Sequence, residues 1–191
     1  MQPQHIKNNS IIKQAFTNEA TSELNHILSF TDSLLIAHTK SKSADSAYHL
    51  FFDYMINENN SNAQLTQGIT KSIKTKTIEF IDSLLYHNKP FFSKIWKIEN
   101  GMNKNRKIVS QELAFNTNGK YIKFIELFIK KKPEFQYYYE EHLYSGGGIA
   151  PHASAKYIAN HKKYNFKKDI NRLIACIHLI TINYEKDISP E

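Results

Sequence analysis

The stretch from Pro133 to Tyr157, PEFQYYYEEHLYSGGGIAPHASAKY, gathers the side chains of this chain best equipped for chemistry. Glu140, Glu141 and His142 stand in a row, and His152, His161 and His178 follow. Carboxylates and imidazoles bind divalent metals, but two ligands on one helix converge only when three or four residues apart. None of these histidines has that spacing to another, and Glu141 is adjacent to His142, so no metal site is expected. Ser145-Gly146-Gly147-Gly148 has the composition of a phosphate-cradling loop, yet such loops follow a strand. Here a helical pattern comes first, so Gly146, Gly147 and Gly148 read as a pliable hinge with at least one positive φ. The run Tyr137-Tyr138-Tyr139 could stack bases. Consecutive helical residues point apart, however, which sends Tyr138 and Tyr139 to the core and leaves Tyr137 at a rim. Tyr137 and Tyr144 are the aromatic candidates for a partner surface.

The single cysteine, Cys176, excludes an intrachain disulfide and a cysteine zinc cluster. It lies in an apolar run and reads as a buried thiol rather than a nucleophile. The net charge of +7 is concentrated in the middle: residues 71–132 carry fourteen basic and five acidic side chains, a net of +9. Lys104, Arg106, Lys107, Lys130, Lys131 and Lys132 are the candidate basic binding residues, and DNA or RNA could be held through residues 104–132. Only Arg106 and Arg172 are arginine, and lysine lacks the bidentate fork that clamps phosphate or reads guanine. A protein partner is therefore preferred over nucleic acid. Lys130, Lys131 and Lys132 also crowd the end of a predicted helix, where the dipole favours cations.

Arg172 and His178 have the form Arg-x5-His on a helix. That spacing resembles HEPN-type ribonucleases, all-α proteins in which arginine and histidine act on the RNA phosphodiester. The resemblance implies Arg172 and His178 as a catalytic pair. The intervening LIACI is wholly apolar and suits a buried face. An RNA-cleaving enzyme is thus the alternative to a non-enzymatic protein, and no cofactor is implied by either.

Helices must position all of these groups. Leu24, Ile27, Leu28, Thr31, Leu34, Leu35 and His38 recur at helical steps and predict a helix over about 17–39. A second is expected over 43–57, burying Ala47, Tyr48, Phe51, Tyr54 and Met55. A third is expected over 63–88 with a stripe from Leu65 to Leu85. Pro90 starts a short one carrying Phe91, Phe92, Ile95, Trp96 and Ile98, stopped at Asn100-Gly101. A fifth is expected over 110–131, broken at NTNG, and a sixth opens at Pro133. Pro151 starts another, and the last runs over about 166–184. The expected fold is an all-α, single-domain bundle of seven to eight helices over 17–191, with residues 1–16 as a flexible arm.

At 191 residues, with 41% hydrophobic and 13% aromatic side chains, the chain is able to bury a real core. Its N-terminus does not read as a signal peptide, and no apolar run is long enough for a membrane span, so a cytoplasmic protein without membrane association is expected.

Two segments resemble the RteC family. Lys89-Pro90-Phe91-Phe92-Ser93-Lys94-Ile95-Trp96, followed by Ile98-Glu99, is similar to that family's Lys-Pro-aromatic-Ser-Lys segment. Glu134-Phe135-Gln136-Tyr137-Tyr138-Tyr139, led by the helix from Phe124, is similar to its Glu-Phe-x-x-Tyr-Tyr region. The abundance of lysine, asparagine and isoleucine suits its Bacteroidetes hosts. The resemblance implies a helical regulator of conjugative-transposon excision or transfer, with DNA recognition by a further C-terminal domain. The chain ends at Glu191 without room for that domain, and SGGGIAPHASAKY departs from the family pattern. A regulatory, non-enzymatic interaction protein is the expectation, and an antitoxin- or immunity-like protein-binding module is a further alternative.

Overall fold

The computed structural model describes residues 6–59, 71–102, 104 and 107–188. Helix follows most of the apolar stripes. Asn9 caps α1 (Ser10–Ala15), its side-chain oxygen accepting from the amides of Ile11 and Ile12 at 3.0 and 3.3 Å. Ile11, Ile12 and Ala15 are buried and Phe16 meets Phe124. From Ile6 onward the expected flexible arm is therefore folded against the body, because its apolar pairs have a core to enter. Residues 1–5 lie outside the described residues.

Helix α2 (Asn18–Thr39) buries Leu24, Ile27, Leu28, Thr31 and Leu35, the spacing of one helical face. Helix α3 (Ala44–Asn59) buries Ala47, Tyr48, Phe51, Phe52 and Met55 against it. Helix α4 (Lys71–His87) buries Ile73, Thr77, Ile81 and Leu84. The expected first turns of this helix, over 63–70, lie outside the described residues. Pro90 sits at the start of α5 (Lys89–Phe92), which Asn88 caps.

Beyond Ser93 the all-α expectation fails. Strand β1 (Trp96–Met102) and strand β2 (Ile108–Phe115) pair antiparallel, with Trp96 opposite Phe115 and Ile98 opposite Leu113. A third strand at the end of the chain adds to the other edge of β2. The alternation Trp96-Lys97-Ile98-Glu99 is the period of a strand, and pairing places Trp96 and Phe115 side by side in the core. Gly101, expected as a helix stop, sits instead at a bulge, where a Cβ would lie 2.1 Å from the Ser110 hydroxyl. The predicted helix over 110–131 is thus half strand, and only α6 (Lys120–Ile129) is helical.

After α6 the chain makes a 3-10 turn (Pro133–Phe135), α7 (Gln136–Tyr144), α8 (Pro151–Ala159) and a second such turn (His161–Lys163). Helix α9 (Asp169–Asn183) follows, and every residue from Asn171 to Thr181 is buried. Strand β3 (Glu185–Asp187) then completes the order β1-β2-β3. The finding is a helix-rich fold with a small antiparallel sheet. Among the described residues no helix is long and apolar enough to cross a membrane.

A helix buried on all sides must pair its polar groups internally. Arg172 donates to the Phe166 carbonyl at 2.7 Å, to Asp169 at 2.6 Å and to Asp32 of α2 at 3.3 Å. Thr181 accepts from the Trp96 indole at 2.9 Å, tying β1 to α9. Burial pushes the Asp32 carboxyl above its ordinary value, and the Arg172 charge opposes that rise. Arg172→Met is expected to cost roughly 3 kcal/mol, because it strands two half-buried carboxylates in the interior. The sign of the pH dependence follows from the raised value. A folded state that holds the Asp32 proton more tightly than the unfolded one loses stability as pH climbs past the unfolded value. Without Arg172 that rise is larger, so the variant's deficit in urea unfolding should grow from about pH 4 to about pH 7. A deficit that is constant across this range would contradict the assignment.

Candidate functional site

The segment from Pro133 to Tyr164 folds as a helical hairpin packed against α6 and α3, with Tyr138 and Tyr157 touching His178 of α9. Phe135, Tyr138, Tyr157 and Tyr164 are buried and build an aromatic floor. Tyr157 lies 4.9 Å from Tyr138 and 5.0 Å from Tyr164, which stacks on Phe135 at 4.7 Å. Burial pushes the phenols of Tyr138, Tyr157 and Tyr164 upward, so they remain neutral. Above this floor opens a cavity of about 170 Å³, rimmed by Glu134, Tyr137, Lys156, Asn160 and Lys163.

Tyr137 is half-buried at the rim, as its position in the tyrosine run predicts, and the Lys156 ammonium sits 3.4 Å from its ring centroid. Tyr139, expected in the core, is only half-buried. On the neighbouring turn Glu141 and His152 lie 3.0 Å apart. These two contacts hold α7 against α8. Leu143 is 38% exposed, and Tyr144 beside it is 87% exposed.

The glycine turn is a turn, not continuous helix, with Gly146 at φ 66° and Gly147 at φ 100°. It is also anchored. The Phe115 amide at the end of β2 donates to the Gly147 carbonyl at 2.7 Å. A Cβ on Gly147 would lie 2.0 Å from the Phe115 carbonyl oxygen, so only glycine permits this approach. The expected pliable hinge is therefore a clasp between the α7–α8 hairpin and the sheet.

The basic candidates divide between two places. Lys104 and Lys107 lie between β1 and β2, next to the exposed Met102 and Ile108, and Arg106 lies outside the described residues. Lys130, Lys131 and Lys132 close α6. Lys130 pairs with Glu126 at 3.7 Å and Lys132 with Glu134, on the cavity rim, at 3.4 Å. Lys131 is exposed.

Arg172 and His178 do not form a site. Six residues apart on a helix, they face different directions. Arg172 is spent on its two aspartates, and His178 is fully buried, with Nε2 3.0 Å from the Ser154 hydroxyl and its ring 4.7 Å from Tyr157. The two groups are thus buried and turned apart, and do not converge in an exposed cleft as the ribonuclease alternative expects. Cys176 is buried as expected, and burial pushes its thiol upward, away from the thiolate that a nucleophile needs.

One cluster escaped the sequence reading. His49 and Asp53, four residues apart on α3, face the buried His161. His49 Nδ1 lies 3.0 Å from His161 Nδ1, and His161 Nε2 lies 3.2 Å from Asp53 Oδ1. Lys162 approaches the same carboxylate at 3.5 Å. The signal was the His-x3-Asp spacing, which a search confined to the last third of the chain passes over. Among the described residues no group of three or more such side chains is placed to hold a metal ion.

Compared with protein-family models, curated proteins and solved structures, the chain matches none.

The two glycines separate conformational strain from collision. Gly146→Ala meets open space and is expected to cost about 1 kcal/mol for the left-handed backbone alone. Gly147→Ala adds the collision with Phe115 and is expected to cost ~3 kcal/mol or more. Thermal unfolding of the two variants checks the order, and equal losses would show that the clasp contributes nothing.

Proposed function

We propose that this chain is a non-enzymatic interaction protein of regulatory type, and that it engages a protein partner through the α7–α8 face. The RteC-like segments supply the regulatory setting, control of mobile-element excision or transfer. The observation that carries the reading is the contrast between inside and outside. Arg172, His178 and Cys176, the groups with reactive potential, are buried. Leu143 and Tyr144 are exposed at the end of α7, the helix whose first turns contribute Tyr137 and Tyr138 to the tyrosine-floored cavity, and the rim of that cavity bears Lys156 and Lys163. Exposed aromatic and aliphatic side chains on the same helix as a concave, cation-rimmed surface are what a protein partner desolvates most profitably. An antitoxin- or immunity-like role is the same class of interaction with a different partner.

The test pairs a surface variant with a salt-titrated binding assay. Leu143→Ser/Tyr144→Ser should leave thermal stability within ~1 kcal/mol, because both side chains are exposed. Affinity capture from the native host should recover a protein with the wild type that the double variant loses. Duplex DNA and RNA should be released by about 0.15 M salt. An identical protein profile for both forms would overturn the surface. Nucleic acid retained at that salt, and weakened by Lys104→Ala/Lys107→Ala, would overturn the partner class.

A further inference from the structure

We propose that the cavity at the open end of the α7–α8 hairpin binds a small monocyclic aromatic acid, a single ring carrying a carboxylate or a phosphate. The site goes beyond the partner surface and does not rest on it, since Leu143 and Tyr144 stand at the other end of α7. Three observations carry it. The first is size. The cavity holds about 170 Å³. An apolar cavity of about 150 Å³ accepts benzene, whereas pockets for drug-sized ligands run to about 300–1,000 Å³. One ring with a short substituent fits here, and a nucleotide does not.

The second is the floor. Tyr138, Tyr157 and Tyr164 line the cavity from α7, from α8 and from the end of the turn after it. Tyr164 packs on both Phe135 and Tyr157, at interplanar angles of 30° and 24°. These rings are buried against one another, so their positions are set before a ligand enters. Aromatic walls favour an aromatic guest through offset or edge-to-face contact. Ala153, on the α8 side, leaves space that a larger side chain would fill.

The third is charge at the mouth. Lys156 and Lys163 are exposed on the rim, and among the described residues neither forms an ion pair. The Lys156 ammonium rests on the Tyr137 ring, 3.4 Å from its centroid. Glu134, the carboxylate among the described lining residues, already has Lys132 at 3.4 Å. The mouth therefore keeps an excess of positive charge above an aromatic floor. That arrangement suits a guest with its ring inward and its acid group at the lysines.

Isothermal titration of the full chain with benzoate, phenyl phosphate, benzyl alcohol and acetate tests the class. Benzoate or phenyl phosphate should bind one equivalent at millimolar concentration or below. Benzyl alcohol keeps the ring without the charge, and acetate keeps the charge without the ring. Each should bind at least ~10-fold more weakly. Lys156→Gln/Lys163→Gln alters two exposed side chains, and should lower affinity for the acids ~10-fold while leaving benzyl alcohol unchanged. Ala153→Leu should abolish binding of both ring compounds. Where that variant melts early, the ring resonances of Tyr137 and Tyr164 locate the site in the wild type, and should shift first as benzoate is added. Leu143→Ser/Tyr144→Ser should bind the acids as the wild type does, so the partner surface and this site stand or fall separately. No saturable binding of either acid at millimolar concentration would overturn the site. So would equal affinity for benzoate and benzyl alcohol, unchanged affinity in the lysine double variant, or shifts confined to other tyrosines.

Discussion

Helix α9 has no solvent face, so every polar side chain it carries must find a partner inside the protein. That requirement indexes the other elements around it. Arg172 fixes α2 through Asp32, His178 fixes α8 through Ser154, and Thr181 fixes β1 through Trp96. An apolar rod can rotate or slide against its neighbours at small cost, since hydrophobic contact has little direction. Three hydrogen-bonded links on different faces remove that freedom, because each misaligned link leaves a desolvated polar group. The same links hold Arg172 and His178 inside the protein, each against a partner on another element.

The end of the chain is tied by the same logic from outside. Asp82 of α4 accepts from the Tyr184 hydroxyl at 2.9 Å and from the Lys186 ammonium at 2.8 Å, and Lys74 reaches Glu185 at 2.9 Å. These pairs bring α4 against the strand that follows α9, so β3 lies against β2 with its charges already placed. They are half-exposed, and their contribution lies in register more than in stability.

What was legible in the sequence follows the range of the forces involved. The stripes of α2, α3 and α9 can be read because a helix displays its buried face within a few residues. The Gly146–Gly147 turn can be read because positive φ is a local property. The sheet could not be. Ile108-Val109-Ser110-Gln111-Glu112-Leu113-Ala114-Phe115 carries a mixed pattern, with Ala114 and Leu113 both buried, since the two faces of β2 meet different parts of the core at its C-terminal end. Its pairing with β1 is decided by partners, not by its own spacing. The cavity rim is legible only in its tyrosines: Lys156 reaches Tyr137 from another helix, and nothing local marks that meeting. His49, Asp53 and His161 form a cluster for the same reason, two on one helical face and the third brought from more than a hundred residues away.

The clasp between Gly147 and Phe115 gives the α7–α8 face its character. A glycine-rich turn left free would sample many conformations, and a partner binding there would have to order it, at a cost of roughly 1–2 kcal/mol per residue. Here the Phe115 amide holds the turn and the sheet holds Phe115, whose ring packs on Tyr121 at 5.0 Å. Leu143 and Tyr144 are thus presented from the end of a short helix whose exit is fixed. On the proposed reading this is preorganisation: the ordering is complete before a partner arrives, and more of the contact energy appears as affinity. The clasp also joins that face to the end of β2, whose other end borders Lys107 and the exposed Ile108. Glycine at position 147 is the residue that makes this joint possible, because any Cβ there would collide with the Phe115 carbonyl.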